Sequence, residues 1–418
     1  MADVQPLRAL HYDLAKVGSL ADVAAPPYDV IDPEQRRLLA ERSPYNVVRV
    51  DLPEGDAGGR DMYSEAATIF ERWQQEGAVV RDEQPALWTL TQDYTGPDGR
   101  ALTRHGVFAR VRVEDYGPGR IRPHERTHPG PKEDRLRLTR ATKANLSPIF
   151  SLYDDPTDAT AGVLRAAQPF GEQTDDDGTV NRLGRVSDPA AIEAFQSALE
   201  PAELLIADGH HRYETARVYA EEVGGEGEHR YVLMCLVALQ DKGLTVFPTH
   251  RLIRDTTPQT QEALGTTLRE LFTVEEIDRA DLRPPDGEGP LTMGYIDSHF
   301  KRAFRLTLQD QASADDALPD MPEPYRHLDT AVLEALVLKG PLGLSEDDIS
   351  HLEGLGYSRT DDEALQLVLS GQYDAAFFLR STPIEQVRAI AAAGVNMPPK
   401  STYFFPKVPT GLLFNPLL

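Results

Sequence analysis

The densest run of chemistry-bearing side chains in the sequence is Asp208-Gly209-His210-His211-Arg212. It follows the apolar stretch Leu204-Leu205-Ile206-Ala207, which reads as a short buried strand, and precedes a helical pattern at 211–223 that ends at Gly224-Gly225. Backbone N–H groups are unpaired at a helix N-terminus and the helix dipole is positive there, so an anion is welcome. Gly209 permits a tight turn and a close approach, while His210, His211 and Arg212 can donate to phosphate oxygens. Asp208 can hold a metal ion or an attacking hydroxyl. The plainer alternative is a helix cap with two exposed histidines. Two histidines and an arginine together at a strand–helix junction favour the anion.

A second constellation, His124-Glu125-Arg126-Thr127-His128, has the H-E-x-x-H spacing of a zinc-binding helix. That chemistry needs both histidines on one helical face. Pro123 precedes the motif and Pro129-Gly130-Pro131 follows it. A residue before proline is pushed out of the helical region, so His128 is expected not to be helical. No metal site is assigned. What remains is a glutamate between histidines in a proline-fixed loop. A third run, Pro398-Pro399-Lys400-Ser401-Thr402, ends like a phosphate-binding loop but lacks the glycines, and its prolines remove backbone donors. Lys400, Ser401 and Thr402 can still contact an anion directly. Cys235 is the only cysteine and sits in an apolar run, so it reads as core filler.

The 418 residues carry 43 basic and 67 acidic side chains, a net charge of −24. So acidic a chain repels a nucleic-acid backbone, and no nucleic-acid partner is expected. Eight basic residues between Pro118 and Asn145 run against this balance: Arg120, Arg122, Arg126, Lys132, Arg135, Arg137, Arg140 and Lys143. Taken alone, such a run is a solvated helix face; in this chain it is also a candidate anion site. The N-terminus lacks a basic stretch and an apolar core, and no apolar run is long enough to span a bilayer. The expectation is a soluble, cytoplasmic protein with no membrane partner.

The elements that must position these residues read as mixed α/β. Asp32-Pro33 opens a helix over 33–42, a strand is expected at 46–50 and an amphipathic helix at 62–77. Strands at 87–94 and 102–113 flank a Gly-Pro-Asp-Gly turn and form a hairpin. A helix is expected at 132–145 and strands at 149–153, 231–238 and 244–247. Further helices are expected at 260–271, 325–338 and 361–370. The acid-rich stretches 154–158, 175–177 and 310–324 read as loops or edges rather than domains. A closing β-α unit places a strand at 375–379 and a helix at 383–393, followed by the segment 397–405.

Three of these pieces, in order, resemble the free serine kinases of the ParB/sulfiredoxin-like fold. Pro123-His124-Glu125 matches their Pro-His-Glu motif, and Asp208 to Arg212 matches their Asp-Gly-His-His-Arg motif residue for residue. Tyr373-Asp374-Ala375-Ala376-Phe377 and Pro399-Lys400-Ser401-Thr402 look like their C-terminal strand and Pro-Lys-Thr/Ser-Thr segment. The whole chain is also similar to a bacterial family of unknown function marked by Ala25-Pro-Pro-Tyr-Asp-Val30, Ile206 to Arg212 and Met397 to Thr402. The kinases carry Arg-His directly after Lys-Thr-Thr, where this chain has Tyr403 and Phe404. It also has a long N-terminal extension.

The resemblance implies a mixed-sheet ParB/sulfiredoxin-like core at 116–255, an N-terminal α/β segment at 1–115 and a C-terminal α/β part at 256–418. It implies transfer of a phosphoryl group from ADP or ATP, with Mg²⁺, to a small metabolite hydroxyl, free L-serine first. Glu125, Asp208 and His211 would be catalytic, with Glu125 the base. Gly209, His210, Arg212, Lys400, Ser401 and Thr402 would bind nucleotide, and Glu125, His211 and Lys400 would share one cleft. The rival reading is a non-catalytic nucleotide-binding regulator, since ParB relatives switch on nucleotide.

Overall fold

The computed structural model describes every residue except Met1, 56–60, Asp98, His128 and Glu288, and nothing is said of the side chains of Pro129, Pro131 and Ser350. The zinc-type motif therefore ends outside the described residues. The chain divides into two units. The first comprises 1–123, 127–245 and 406–418; the second comprises 124–126 and 246–405.

In the first unit, a nine-stranded sheet runs Ile121–Arg122, Leu204–Asp208, Ile149–Tyr153, Tyr231–Ala238, Ala101–Arg112, Leu87–Thr95, Val180–Val186, Gln168–Thr174, with Val4–Gln5 also pairing Ala101–Arg112. Leu204–Asp208 is parallel to Ile121–Arg122, and Tyr231–Ala238 is parallel to Ile149–Tyr153; the other pairings are antiparallel. The sheet is mixed, and the protein is of the expected α/β class. Strands from both sides of residue 115 lie in it. Its central strands are buried on both faces, which explains their near-continuous apolar runs. Leu204, Ile206, Met234, Leu236 and Val107 share one core, all at most 3% exposed. Each fully buried aliphatic side chain of this kind contributes about 1.5–3 kcal/mol.

The helix at Pro33–Arg42 forms as expected: Asp32 caps it by accepting from Gln35 N at 2.8 Å. The expected strand at 46–50 is instead a helical turn, Val48–Asp51. Asn46 decides this. It is fully buried; its Oδ1 accepts from Val48 N at 3.0 Å and its Nδ2 donates to the carbonyls of Asp22 and Ala24, the latter in the interior. A side chain that satisfies the local backbone this way overrides the β-preference of the valines. The basic stretch carries the helix Pro129–Thr142, whose charges are largely spent on acids. Arg135 is buried against Asp51 and Asp134, while Arg137 pairs Asp61 and Arg140 pairs Glu222.

The second unit is built on a six-stranded, fully antiparallel sheet: Phe272–Ile277, Ala303–Leu308, Thr292–Asp297, Ala375–Phe378, His250–Ile253, Leu355–Ser358. The single helix expected at 325–338 is interrupted: Glu323–Arg326 ends at His327, and Asp329–Leu333 passes into a wider turn at Glu334–Leu338. The stretch 310–324 is not all loop, because Ala312–Ala317 is helical. At the C-terminal motif only Tyr403–Phe405 is strand. Pro398 and Pro399 lack the donors that a longer ladder needs. No helix of the described residues is long and apolar enough to cross a membrane.

Candidate functional site

The strand Leu204–Asp208 delivers Asp208 to the edge of the first unit's core, and the helix His210–Val223 begins immediately after it. Gly209 makes the turn with φ +97° and ψ 28°, and a Cβ there would meet Arg212 Nε at 3.0 Å. Both facts demand glycine. No side chain caps this helix start. The first turn therefore presents N–H groups that lack helical acceptors, next to His210, which is buried, and His211, which is half-buried.

Asp208 is clamped between two cations. Lys407 Nζ donates to its Oδ1 and Arg212 Nη2 to its Oδ2. Burial pushes the carboxyl up, but the charges of Lys407 and Arg212 and the Lys407 hydrogen bond win, and the group titrates well below the ordinary carboxylate range. Asp208 is thus held ionised. Arg212 is also fixed by Nη1 donating to the Pro148 carbonyl. Two cations on one carboxylate leave this cluster with a net positive charge beside an uncapped helix start. That is the electrostatics of an oxyanion site.

No motif in the sequence assigns a role to Lys407. It lies 199 positions from its partner, and the one available signal was its rarity, because the chain has only eight lysines. Arg104 was missed as well. It is 1% exposed, donates Nε to Gln92 Oε1 at 3.1 Å and Nη2 to the Pro406 carbonyl, and stacks over Phe150 at 4.5 Å. Burial lowers its pKa to about 10. Gln92 Nε2 in turn donates to the Lys407 carbonyl at 3.0 Å. The buried pair of Gln92 and Arg104 therefore fixes the segment that offers Lys407 to Asp208.

The remaining predicted site residues belong to the second unit. The Thr402 hydroxyl lies 2.9 Å from His124 Nε2 and donates to Glu125 Oε1 at 3.5 Å. His124 is fully buried, and its carbonyl accepts from Met397 N at 2.8 Å. Glu125 is half-buried. The structure therefore joins the Pro-His-Glu and Lys-Ser-Thr segments, far apart in sequence, into one cluster. Lys400 is exposed, at φ +56°. Buried Arg251 holds its turn by donating to the carbonyls of Lys400 and Pro399, each at 3.1 Å. Ser401 is buried and its Oγ donates to the Pro398 carbonyl at 2.7 Å; its role is in the turn. Among the described residues no group of three or more His, Cys, Asp or Glu is arranged to hold a metal ion.

Of the further basic residues, Arg135 is 6% exposed and spent on Asp51. Asn145 accepts from Leu233 N at 3.1 Å and from Asn415 Nδ2 at 2.9 Å, a structural position.

Residues 4–331 match the family model described as "Protein of unknown function (DUF1015)". The chain belongs to that family. No curated protein matches it. Among solved structures it is similar to a conserved hypothetical protein from Pyrococcus furiosus, at 15% identity over 73% of this chain and 93% of that one, with a TM-score of 0.37. It is similar to a free serine kinase variant in complex with ADP, at 13% identity over 72% and 87% of the two chains and a TM-score of 0.38. A C-terminally truncated SbnI from Staphylococcus aureus matches at 11% identity over 72% and 84%, with a TM-score of 0.37. Likenesses this remote bear on neither activity nor substrate.

Proposed function

We propose that the protein binds a nucleoside di- or triphosphate at the Asp208–Arg212 junction and transfers a phosphoryl group to the hydroxyl of a small metabolite, with free L-serine the first candidate. The observation that carries the reading is the junction itself: an uncapped helix start behind a left-handed glycine, with Asp208 kept ionised by Lys407 and Arg212. Phosphoryl transfer needs charge neutralisation, a positioned hydroxyl and a base. His210, His211, Arg212 and the helix N-terminus take the phosphates. Asp208, with its two oxygens engaged by Lys407 and Arg212, holds those cations at the junction, and Mg²⁺ would arrive with the nucleotide and supply further charge neutralisation. Glu125, beside Thr402, takes the proton of the acceptor hydroxyl, and Lys400 adds a cation.

The test is the Glu125→Gln variant assayed for nucleotide binding by thermal shift and for phosphorylated product with Mg²⁺ and L-serine. Binding is expected to persist while turnover falls by about 10²–10⁴-fold, the usual worth of a general base. Full turnover by the variant refutes the assignment. A regulator that binds nucleotide without transferring it would show binding and no product from either protein.

A further inference from the structure

The second unit contains a cavity of about 330 Å³, lined among others by His327, Asp329, Arg380, Ser381, Thr382 and Glu385. That volume lies at the lower end of small-molecule sites. One lining group is a guanidinium held rigid. Arg380 donates Nε and Nη2 to Asp329 Oδ2 and Oδ1 at 2.8 and 2.7 Å, and Nη1 to the Gly287 carbonyl at 3.2 Å. The Arg380 and Asp329 side chains are 10% and 14% exposed. Three of the five guanidinium N–H groups are thereby used. One on Nη1 and one on Nη2 remain without a partner among the described residues.

The same wall carries the start of the nine-residue helix Ile384–Ala392, where Pro383 occupies the cap position and no side chain caps the turn. One lining residue, Thr382, is bonded to the C-terminal motif. Thr382 Oγ1 donates to the Ser401 carbonyl at 2.8 Å, and Thr330 Oγ1 lies 2.8 Å from Ser401 Oγ.

We infer that this cavity binds a small organic acid whose carboxylate is gripped by the spare Nη1 and Nη2 hydrogens of Arg380 beside the helix start. A planar fork matches a planar carboxylate in two parallel hydrogen bonds. Asp329 has already fixed the guanidinium, so little side-chain freedom is lost when the ligand arrives. Glu385 is exposed on the cavity wall and carries a like charge. It disfavours a second carboxylate and accepts a hydroxyl, so the ligand class is a hydroxylated monocarboxylate. The Tyr403 and Phe404 positions offer no cation for such a group; Arg380, from another element, does. The inference is independent of phosphoryl transfer, because binding is measured without nucleotide.

The experiment is calorimetric titration of the full chain with L-lactate, succinate and inorganic phosphate. Saturable binding of lactate, tighter than that of succinate or phosphate, is expected. Arg380→Lys keeps the charge opposite Asp329 but loses the fork, and should weaken lactate at least about tenfold. Because that site is packed, Glu385→Gln on the exposed wall is the second variant. It should leave the melting temperature unchanged and tighten both lactate and succinate, succinate more. Absence of saturable lactate binding, tighter binding of phosphate, unchanged affinity in a folded Arg380→Lys variant, or weaker binding in Glu385→Gln each overturns the inference.

Discussion

Replacing Lys407 by Met removes one of the two cations on Asp208 and keeps most of the side-chain volume. The side chains of Asp208, Lys407 and Arg212 are 15%, 16% and 10% exposed, so the triad lies nearer the buried limit than the surface one. Breaking a buried ion pair from one side costs about 3–5 kcal/mol. Arg212 stays opposite Asp208, which places the expected loss at the lower end, about 3 kcal/mol. For a unit of this size that corresponds to a fall in melting temperature of roughly 6–12 °C. The pH dependence follows from the direction of the shift. Asp208 titrates below its unfolded value, so its pairing stabilises the fold above the ordinary carboxylate pKa of about 3.9, and that gain is lost as pH falls toward the folded value. Removing Lys407 raises the folded pKa, so the window of acid resistance narrows from below. The assay is urea unfolding from pH 3 to pH 8 for the wild type, Lys407→Met, Asp208→Asn and the double variant. The double variant should recover only part of the loss, because it removes the Asp208 charge left without Lys407 but leaves buried Arg212 facing a neutral side chain, with the Pro148 carbonyl as its remaining partner. A single-variant loss below about 1 kcal/mol, or losses that simply add in the double variant, would refute the reasoning.

Asn46→Ala should cost about 1–3 kcal/mol in urea unfolding, because it orphans the buried Val48 N–H and Ala24 carbonyl at once. Cys235 is 1% exposed and burial pushes its thiol up to about 12. It should resist alkylation in the native protein at pH 8 and react only after denaturation, with mass spectrometry as the readout.

Much of the first unit was legible because its elements announce themselves locally. The hairpin at Leu87–Thr95 and Ala101–Arg112 follows from two β-rich runs around a Gly-Pro-Asp-Gly turn. The strand–Gly209–helix junction follows from four apolar residues, a glycine and a helical pattern. The second unit was less readable. The strand Phe272–Ile277 is an edge with four consecutive exposed residues, Thr273 to Glu276, so it lacks the alternation that marks a half-buried strand. The strands Thr292–Asp297 and Ala303–Leu308 carry no clear local signal either and take their places through pairing with each other, with Ala375–Phe378 and with Phe272–Ile277. At the site, sequence supplied the residues that sit in motifs. It did not supply Lys407 or Arg104, which join the centre through contacts spanning 199 and 302 positions and belong to no recognisable pattern. Joining Glu125 to Thr402 was likewise a matter of tertiary packing across 277 positions.

The measurement that tests the central claim most directly is a calorimetric titration of the full chain with Mg²⁺ and ADP, set beside adenosine under the same conditions. If the Asp208–Arg212 junction is a phosphate site, ADP binds with one-to-one stoichiometry and adenosine binds at least about tenfold more weakly, because the oxyanion contacts provide the difference. Equal affinity for the two, or no heat with ADP, would contradict the account.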